Sequence, residues 1–207
     1  MTKLLAKSLT LGCLLIGLMA PTVSAAPLSD EDKADIKRVE DYLNNITTMK
    51  ANFLQVNAEG QFAEGTVYLN RPGRARFEYE PPAQILVVAD GLWLVFHDKE
   101  LNETNRIPLS STPISVLLEE NATLSGDVTV TSVEKDGGVL RVNIIDTSEP
   151  DEGGITLVFS IRPFELRKWL ITDAQGLTTS VTLSEEEFGI KLKPELFLFK
   201  DEYYDRN

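Results

Sequence analysis

The sequence predicts a mainly β protein, α+β in class: an antiparallel meander behind one long N-terminal helix. Three observations carry that expectation. One stretch near the start places apolar residues at spacings of three and four. From residue 50 onward, short strand-like runs alternate with turn residues such as Asp90-Gly91 and Asp136-Gly137-Gly138. No second long helical pattern falls between those runs, so the crossover helices that parallel strands need are missing.

The chain opens with an export signal. Lys3 and Lys7 form a positive start, Leu9 to Met19 an apolar run, and Val23-Ser24-Ala25 a small-residue cleavage site. The run is too short to span a ~30 Å hydrocarbon core with margin, and no other stretch approaches ~18 apolar residues. Cleavage near Ala25 or Ala26 removes Cys13, which sits too early in the apolar run for a lipid-attachment site. Removing residues 1–25 leaves 182 residues without cysteine at net charge −14, expected as one domain over 26–207.

The helix is expected over 29–49. Ile36, Val39, Leu43, Ile46 and Met49 form its apolar stripe, Ser29 its cap, and Asp30, Glu31 and Asp32 suit its N-terminal dipole. Strands follow near 51–57, 62–70, 74–80, 84–89, 92–97 and 102–108, then near 127–134, 138–145, 154–161, 166–172, 177–183 and 196–199. Between the two sets, residues 113–118 read as a short amphipathic helix. Pro113 stands at its first position, with Ile114, Leu117 and Leu118 on one face.

Composition removes several function classes. The full chain carries 20 Lys plus Arg against 32 Asp plus Glu, net −12, which disfavours nucleic acid and anionic surfaces. One Cys and one His leave little for zinc sites or Cys–His catalysis, so no metal and no cofactor are expected. His97, at a strand end, reads as a packed or solvated residue rather than a base. Glu119-Glu120 and Glu185-Glu186-Glu187 read as solvated charge runs. Paired carboxylates of a hydrolase, which meet only in space, are left open.

The surplus is apolar. Ile85 to Ala89 and Leu92 to Phe96 are apolar on both strand faces. Two accounts stand: a sandwich covered on both sides, or a curved sheet with one face on the helix and the other lining a cavity. If the face carrying Phe77 and Tyr79 lines an open cavity, Phe77→Glu abolishes apolar binding and spares the fold. Arg71 falls in phase with Ala75, Phe77 and Tyr79, where its donors need acceptors, unless Pro72 and Gly73 break the phase and leave it a turn residue in water.

Several stretches, taken together, resemble the periplasmic outer-membrane lipoprotein carrier family. They are Phe53-Leu54-Gln55, Gly65 to Asn70 leading into RPGRARFEYEPP at 71–82, VADG at 88–91, Trp93 to Asp98, Pro108-Leu109, TPISVLL at 112–118, DAQG at 173–176 and Leu196 to Phe199. The resemblance implies a curved, unclosed antiparallel half-barrel of about 11 strands under a helical lid. It implies a non-enzymatic periplasmic chaperone, acting as a monomer. Its partners would be acylated lipoproteins, an inner-membrane ABC-type releasing complex and an outer-membrane acceptor. Arg71 would latch the lid, and Pro113, Ile114, Leu117 and Leu118 would form it. The candidates for the acyl-binding wall are Phe53, Ala75, Phe77, Tyr79, Leu86, Val88, Trp93 and Val95. Two positions depart from the family's usual pattern: bulky apolar residues are usual where Ala75 stands, and Tyr is common where His97 stands. An acyl-sensing module on the same fold and an exported carboxylate hydrolase are the competing readings.

Overall fold

The computed structural model describes residues 27–200; the expected export signal lies outside them. Helix α1 (Asp30–Asn45) starts on a capping box. Ser29 Oγ accepts from the Asp32 amide at 3.1 Å, and the Asp32 carboxylate accepts from the Ser29 amide at 2.8 Å. Val39 and Leu43 are buried on its stripe. The helix ends four residues before Met49, the expected end. Ile46 is already extended, Thr47 and Thr48 are β-branched and favour the pleat, and Met49 enters the core from the first strand.

Six strands follow: β1 (Thr48–Val56), β2 (Phe62–Asn70), β3 (Arg74–Tyr79), β4 (Ile85–Asp90), β5 (Trp93–Asp98) and β6 (Glu103–Pro108). A 3-10 turn (Leu109–Ser111) and helix α2 (Ser115–Leu118) lead to β7 (Val128–Asp136), β8 (Val139–Asp146), β9 (Gly153–Ile161), β10 (Phe164–Asp173) and β11 (Thr178–Phe188). All eleven form one antiparallel sheet in the order β6-β5-β4-β3-β2-β1-β11-β10-β9-β8-β7. It is one unclosed sheet rather than a sandwich. Its two edges, β6 and β7, are consecutive in the chain, so the connection 109–127 must travel from one edge to the other. That detour places α2 over the inner face, beside α1.

The inner face carries the main core, which includes Phe53, Val67, Leu69, Ala75 and Phe77 from the first strands, with Leu140, Leu157, Phe159, Trp169 and Leu183 from the later ones. The outer face has a small core of its own. Val88, Val95 and Phe197 are buried yet stand apart from the main cluster. The expected strand at 196–199 does not form. Pro194–Phe197 is a 3-10 turn packed on β3 and β4, Arg76 Nη1 donates to the Leu196 carbonyl at 3.1 Å, and Phe199 meets His97 at 5.3 Å. Pro194 has no N–H for a ladder, and the apolar tail instead covers the outer side. This cover is why β4 and β5 are apolar on both faces.

Candidate functional site

The connection between the sheet edges is fastened to the turn between β2 and β3 and to α1. In that turn, Arg71 is half-buried and its guanidinium reaches three acceptors on two segments, the end of α1 and the residue after α2. Nε donates to the Glu119 carbonyl at 3.0 Å, and Nη2 shares that acceptor. Nη1 donates to the Ile46 carbonyl at 3.3 Å, and Nη2 also approaches Asn44 Oδ1 at 3.4 Å. These acceptors close the ends of α1 and α2, where helical carbonyls lack partners and a positive charge suits the dipole. Burial works against the guanidinium charge, and the Glu119 carboxylate supports it.

Neighbouring bonds complete the clasp. The Gly73 amide donates to the Leu118 carbonyl at 2.7 Å, and the Arg71 amide to the Thr47 carbonyl at 2.8 Å. Gly73 has φ +75°, and a Cβ there would fall 2.8 Å from the Gly91 Cα, so a side chain would clash with the turn between β4 and β5. Asn44 brackets Ala122, accepting from its amide at 2.8 Å and donating to its carbonyl at 3.0 Å. Glu40 accepts from the Leu124 amide at 2.8 Å. On its other side α1 is pinned to β7 through Lys135, 2.6 Å from the buried Asp35. Period-two reading leaves Arg71 open between an inward-facing residue and a turn residue in water, and the family resemblance gives it a role; neither points to Asn44, Gly73 or the Glu119 carbonyl, because backbone acceptors leave no mark in side-chain pattern.

Burial pushes the Glu119 carboxyl above the usual glutamate range; Asp127 adds to the shift and Arg71 opposes it. The stability tied to this carboxyl is full below the ordinary glutamate range and fades as pH rises through the raised value.

Under the clasp, α2 is buried through Ile114, Val116, Leu117 and Leu118. Pro113 precedes the helix rather than opening it, and Ile114 serves as its N-cap. Val116 joins the buried set because α2 sits between the sheet and the flanking 3-10 turn, so one-sided amphipathicity does not describe it. The enclosed space beneath α1 and α2, walled by residues including Tyr42, Leu43, Leu69, Leu117, Trp169 and Leu183, has a volume of about 10 Å³. That is about one water-sized sphere. At this point the inner face is filled by the protein's own side chains, and a further cavity of about 70 Å³ lies beside α2, lined in part by Val116, Val128, Ile144 and Ile155. A depression of about 400 Å³ lies outside α2, but Glu119, Glu120, Asp127 and Asp146 line it, and carboxylates are poor company for an acyl chain.

The expected wall residues divide between the two faces. Phe53, Ala75, Phe77 and Tyr79 lie on the inner face: the Phe53 ring meets Phe77 at 5.6 Å and Tyr79 at 5.0 Å, and Ala75 pairs with Ala89. Leu86, Val88, Trp93 and Val95 do not line that face. Register pairs Val88 with Arg76 and with Val95, and Leu86 with Glu78 and His97, so they point to the outer side. Val88 and Val95 are buried there, and Trp93 is 45% exposed. Two apolar faces in one strand allow either assignment, and only the strand register decides. His97 also lies outside, with Nδ1 3.0 Å from Thr104 Oγ1.

Between β1 and β3 on the inner face, Tyr79 donates to Gln55 Oε1 at 2.7 Å. Burial pushes the Tyr79 phenol up to about 12, with the Gln55 bond pulling the other way. Because the folded value is raised, the associated stability is full below the ordinary pH 10 and lost as pH climbs toward 12. The loss amounts to about 2–3 kcal/mol. Urea midpoints measured from pH 9 to 12 are expected to fall less steeply in Tyr79→Phe than in the parent; identical slopes would remove Tyr79 from the alkaline transition.

The profile of the family described as outer membrane lipoprotein carrier protein LolA matches residues 44–200. An outer-membrane lipoprotein carrier protein of Legionella pneumophila is 33% identical over 168 residues, covering 76% of this chain and 81% of that protein. One of Nitrosomonas europaea is 27% identical over 173 residues, covering 79% and 84%. A crystal structure of a DUF1329 family protein from Desulfovibrio piger has the same fold, with TM-score 0.50 at 10% identity, covering 81% of this chain and 96% of that one.

Proposed function

The chain belongs to the outer membrane lipoprotein carrier family, and from that premise we propose that it binds the acyl chains of lipoproteins and ferries them across the periplasm. Residues 1–25 direct export and are removed, and residues 26–207 form the carrier. It receives cargo from an inner-membrane ABC-type releasing complex and yields it to an outer-membrane acceptor, with no covalent step. Cargo lies on the inner face, against Phe53, Ala75, Phe77 and Tyr79.

The observation that supports this most is the clasp over a filled apolar face. A buried methylene is worth ~0.8 kcal/mol, so a multiply acylated protein does not leave a bilayer unaided. A carrier must offer apolar wall, yet stay soluble when empty. Closing α2 over the inner face does the second, and lifting it does the first. A four-residue helix has no stability of its own, so it stays in place only through its docked side chains and the bonds to Arg71 and Gly73. The acidic chain does not cling to anionic headgroups, which suits release.

Native mass spectrometry of the protein purified from the periplasm tests the proposal. Co-purified acylated protein is the expected result. A loose fatty acid alone would instead favour an acyl sensor, and turnover of a glycan with no apolar ligand would favour a hydrolase.

A further inference from the structure

We propose that Trp169 is the polar anchor of the acyl site: its indole N–H donates to the ester or amide carbonyl of an acyl chain once α2 has lifted. The proposal rests on the carrier reading above and adds to it a residue and a chemical preference.

Trp169 is 1% exposed. Among the described residues, its Nε1 is the one buried side-chain nitrogen or oxygen with no hydrogen-bond partner. The interior otherwise pairs its polar atoms, as Tyr79 does with Gln55 and Thr112 with the Leu109 carbonyl at 2.7 Å. The ring meets Phe77 at 6.3 Å and 79°, a contact between aromatic planes that supplies no oxygen or nitrogen. Phenylalanine would give the same kind of contact without stranding a donor, and a buried unpaired donor is a group that folding ordinarily avoids.

Its location says what is missing. Trp169 walls the enclosed space that Leu117 covers, and that space has room for about one water-sized sphere but not for an acyl carbonyl while α2 is down. Moving Leu117 away opens the wall at this point, and apart from the Arg71 side chain, which is bonded to Glu119 and Ile46, the surroundings there are aliphatic and aromatic. An apolar molecule carrying a single acceptor is what such a wall selects. The indole is a donor only, so it favours a carbonyl and gives a pure hydrocarbon nothing. An acyl ester or amide has both parts: methylenes for the wall and one carbonyl for Nε1.

The test compares methyl palmitate with hexadecane, which differ in the carbonyl group. In Trp93→Phe protein labelled with 15N at the indole, the remaining indole resonance belongs to Trp169; Trp93 lies on the outer side. Methyl palmitate should move that proton downfield and hexadecane should not. Trp169→Phe should weaken methyl palmitate about fivefold or more, the worth of one net hydrogen bond, and change hexadecane less than twofold. Equal losses for both probes, or an indole proton that ignores the ester, would overturn the proposal. The resonance decides even if Trp169→Phe fails to fold. If neither probe binds the parent, the carrier reading itself falls, and this anchor with it; hexadecane binding without an indole response to the ester removes the anchor alone.

Discussion

Glutamate at Phe77 is expected to unfold the protein, while aspartate at Leu117 should only open it. Both residues are buried, at 6% and 4% exposed, and both substitutions place a carboxylate in an apolar interior. The difference is what the backbone can do about it. Phe77 sits in β3, bonded to β2 on one side and β4 on the other, with its ring against Phe53 and Trp169. The charge cannot leave unless the sheet comes apart. An unpaired buried charge costs several kcal/mol, against a total stability of roughly 5–15 kcal/mol. Leu117 sits on a four-residue helix between two irregular segments. There the charge escapes by lifting α2, at the loss of that helix's burial, roughly 1.5–3 kcal/mol for each side chain exposed. Urea denaturation with an apolar fluorescent dye separates the outcomes. Phe77→Glu should show no cooperative transition; Leu117→Asp should keep one at a lower midpoint and bind dye. A Phe77→Glu protein with the parental midpoint would mean that the inner face is already open, as the cavity account of the sequence had it.

Local chemistry made the strands legible. Alternation along Arg74 to Tyr79 put Arg74, Arg76 and Glu78 on one side, and the register agrees: Arg76 faces Val88 and Glu78 faces Leu86 across the outer surface. Glycine-rich turns at Asp90-Gly91 and at Asp136 to Gly138 fall between strands as expected. The long-range facts were the illegible ones. Helical spacing continues through Ile46 and Met49, but β-branching at residues 46–48 and the demands of β1 end the helix first. The tail at 196–199 has strand-like composition because its apolar residues are needed against β3 and β4, and a covering segment needs the same residues as a strand. Trp169 shows a third kind of loss. Leu166 and Trp169 are three apart, which strict alternation sends to opposite faces. The irregularity between Leu166 and Lys168 shifts the register, and both enter the core.

The site was legible in one residue and hidden in its partners. Spacing leaves Arg71 either a guanidinium in phase with Phe77 and Tyr79 that needs acceptors or a turn residue in water, and the family resemblance favours the first. What receives it is the Glu119 carbonyl, the Ile46 carbonyl and Asn44, drawn from the ends of two helices 25 to 48 residues away. No sequence pattern encodes a meeting of two helix ends. It follows from topology: the chain must cross from β6 to β7, and the turn after β2 lies beneath that crossing.

Arg71→Ala should release α2. The hydrogen bonds of the guanidinium are charge-assisted, and such bonds are worth roughly 1.5–3 kcal/mol, with half-exposure placing the set at the lower end. That shifts the equilibrium between closed and open forms about tenfold or more. Hydrogen exchange should read it at the Gly73, Ser115, Leu117 and Ala122 amides, whose acceptors (Leu118, Thr112, Ile114 and Asn44) belong to the lid or to its fastening. Apolar dye should bind faster as well. General destabilisation has to be separated from latch loss, and Val88→Ala does so. Val88 is fully buried in the outer core, away from α2, so its truncation should lower the melting temperature while leaving exchange at those four amides at the parental rate. Arg71→Lys should behave like the alanine variant, because one ammonium cannot span acceptors on both helix ends at once. Parental exchange at Ser115 and Leu117 in Arg71→Ala would mean that burial of Val116, Leu117 and Leu118 alone holds the lid, and that the guanidinium does no more than finish a turn.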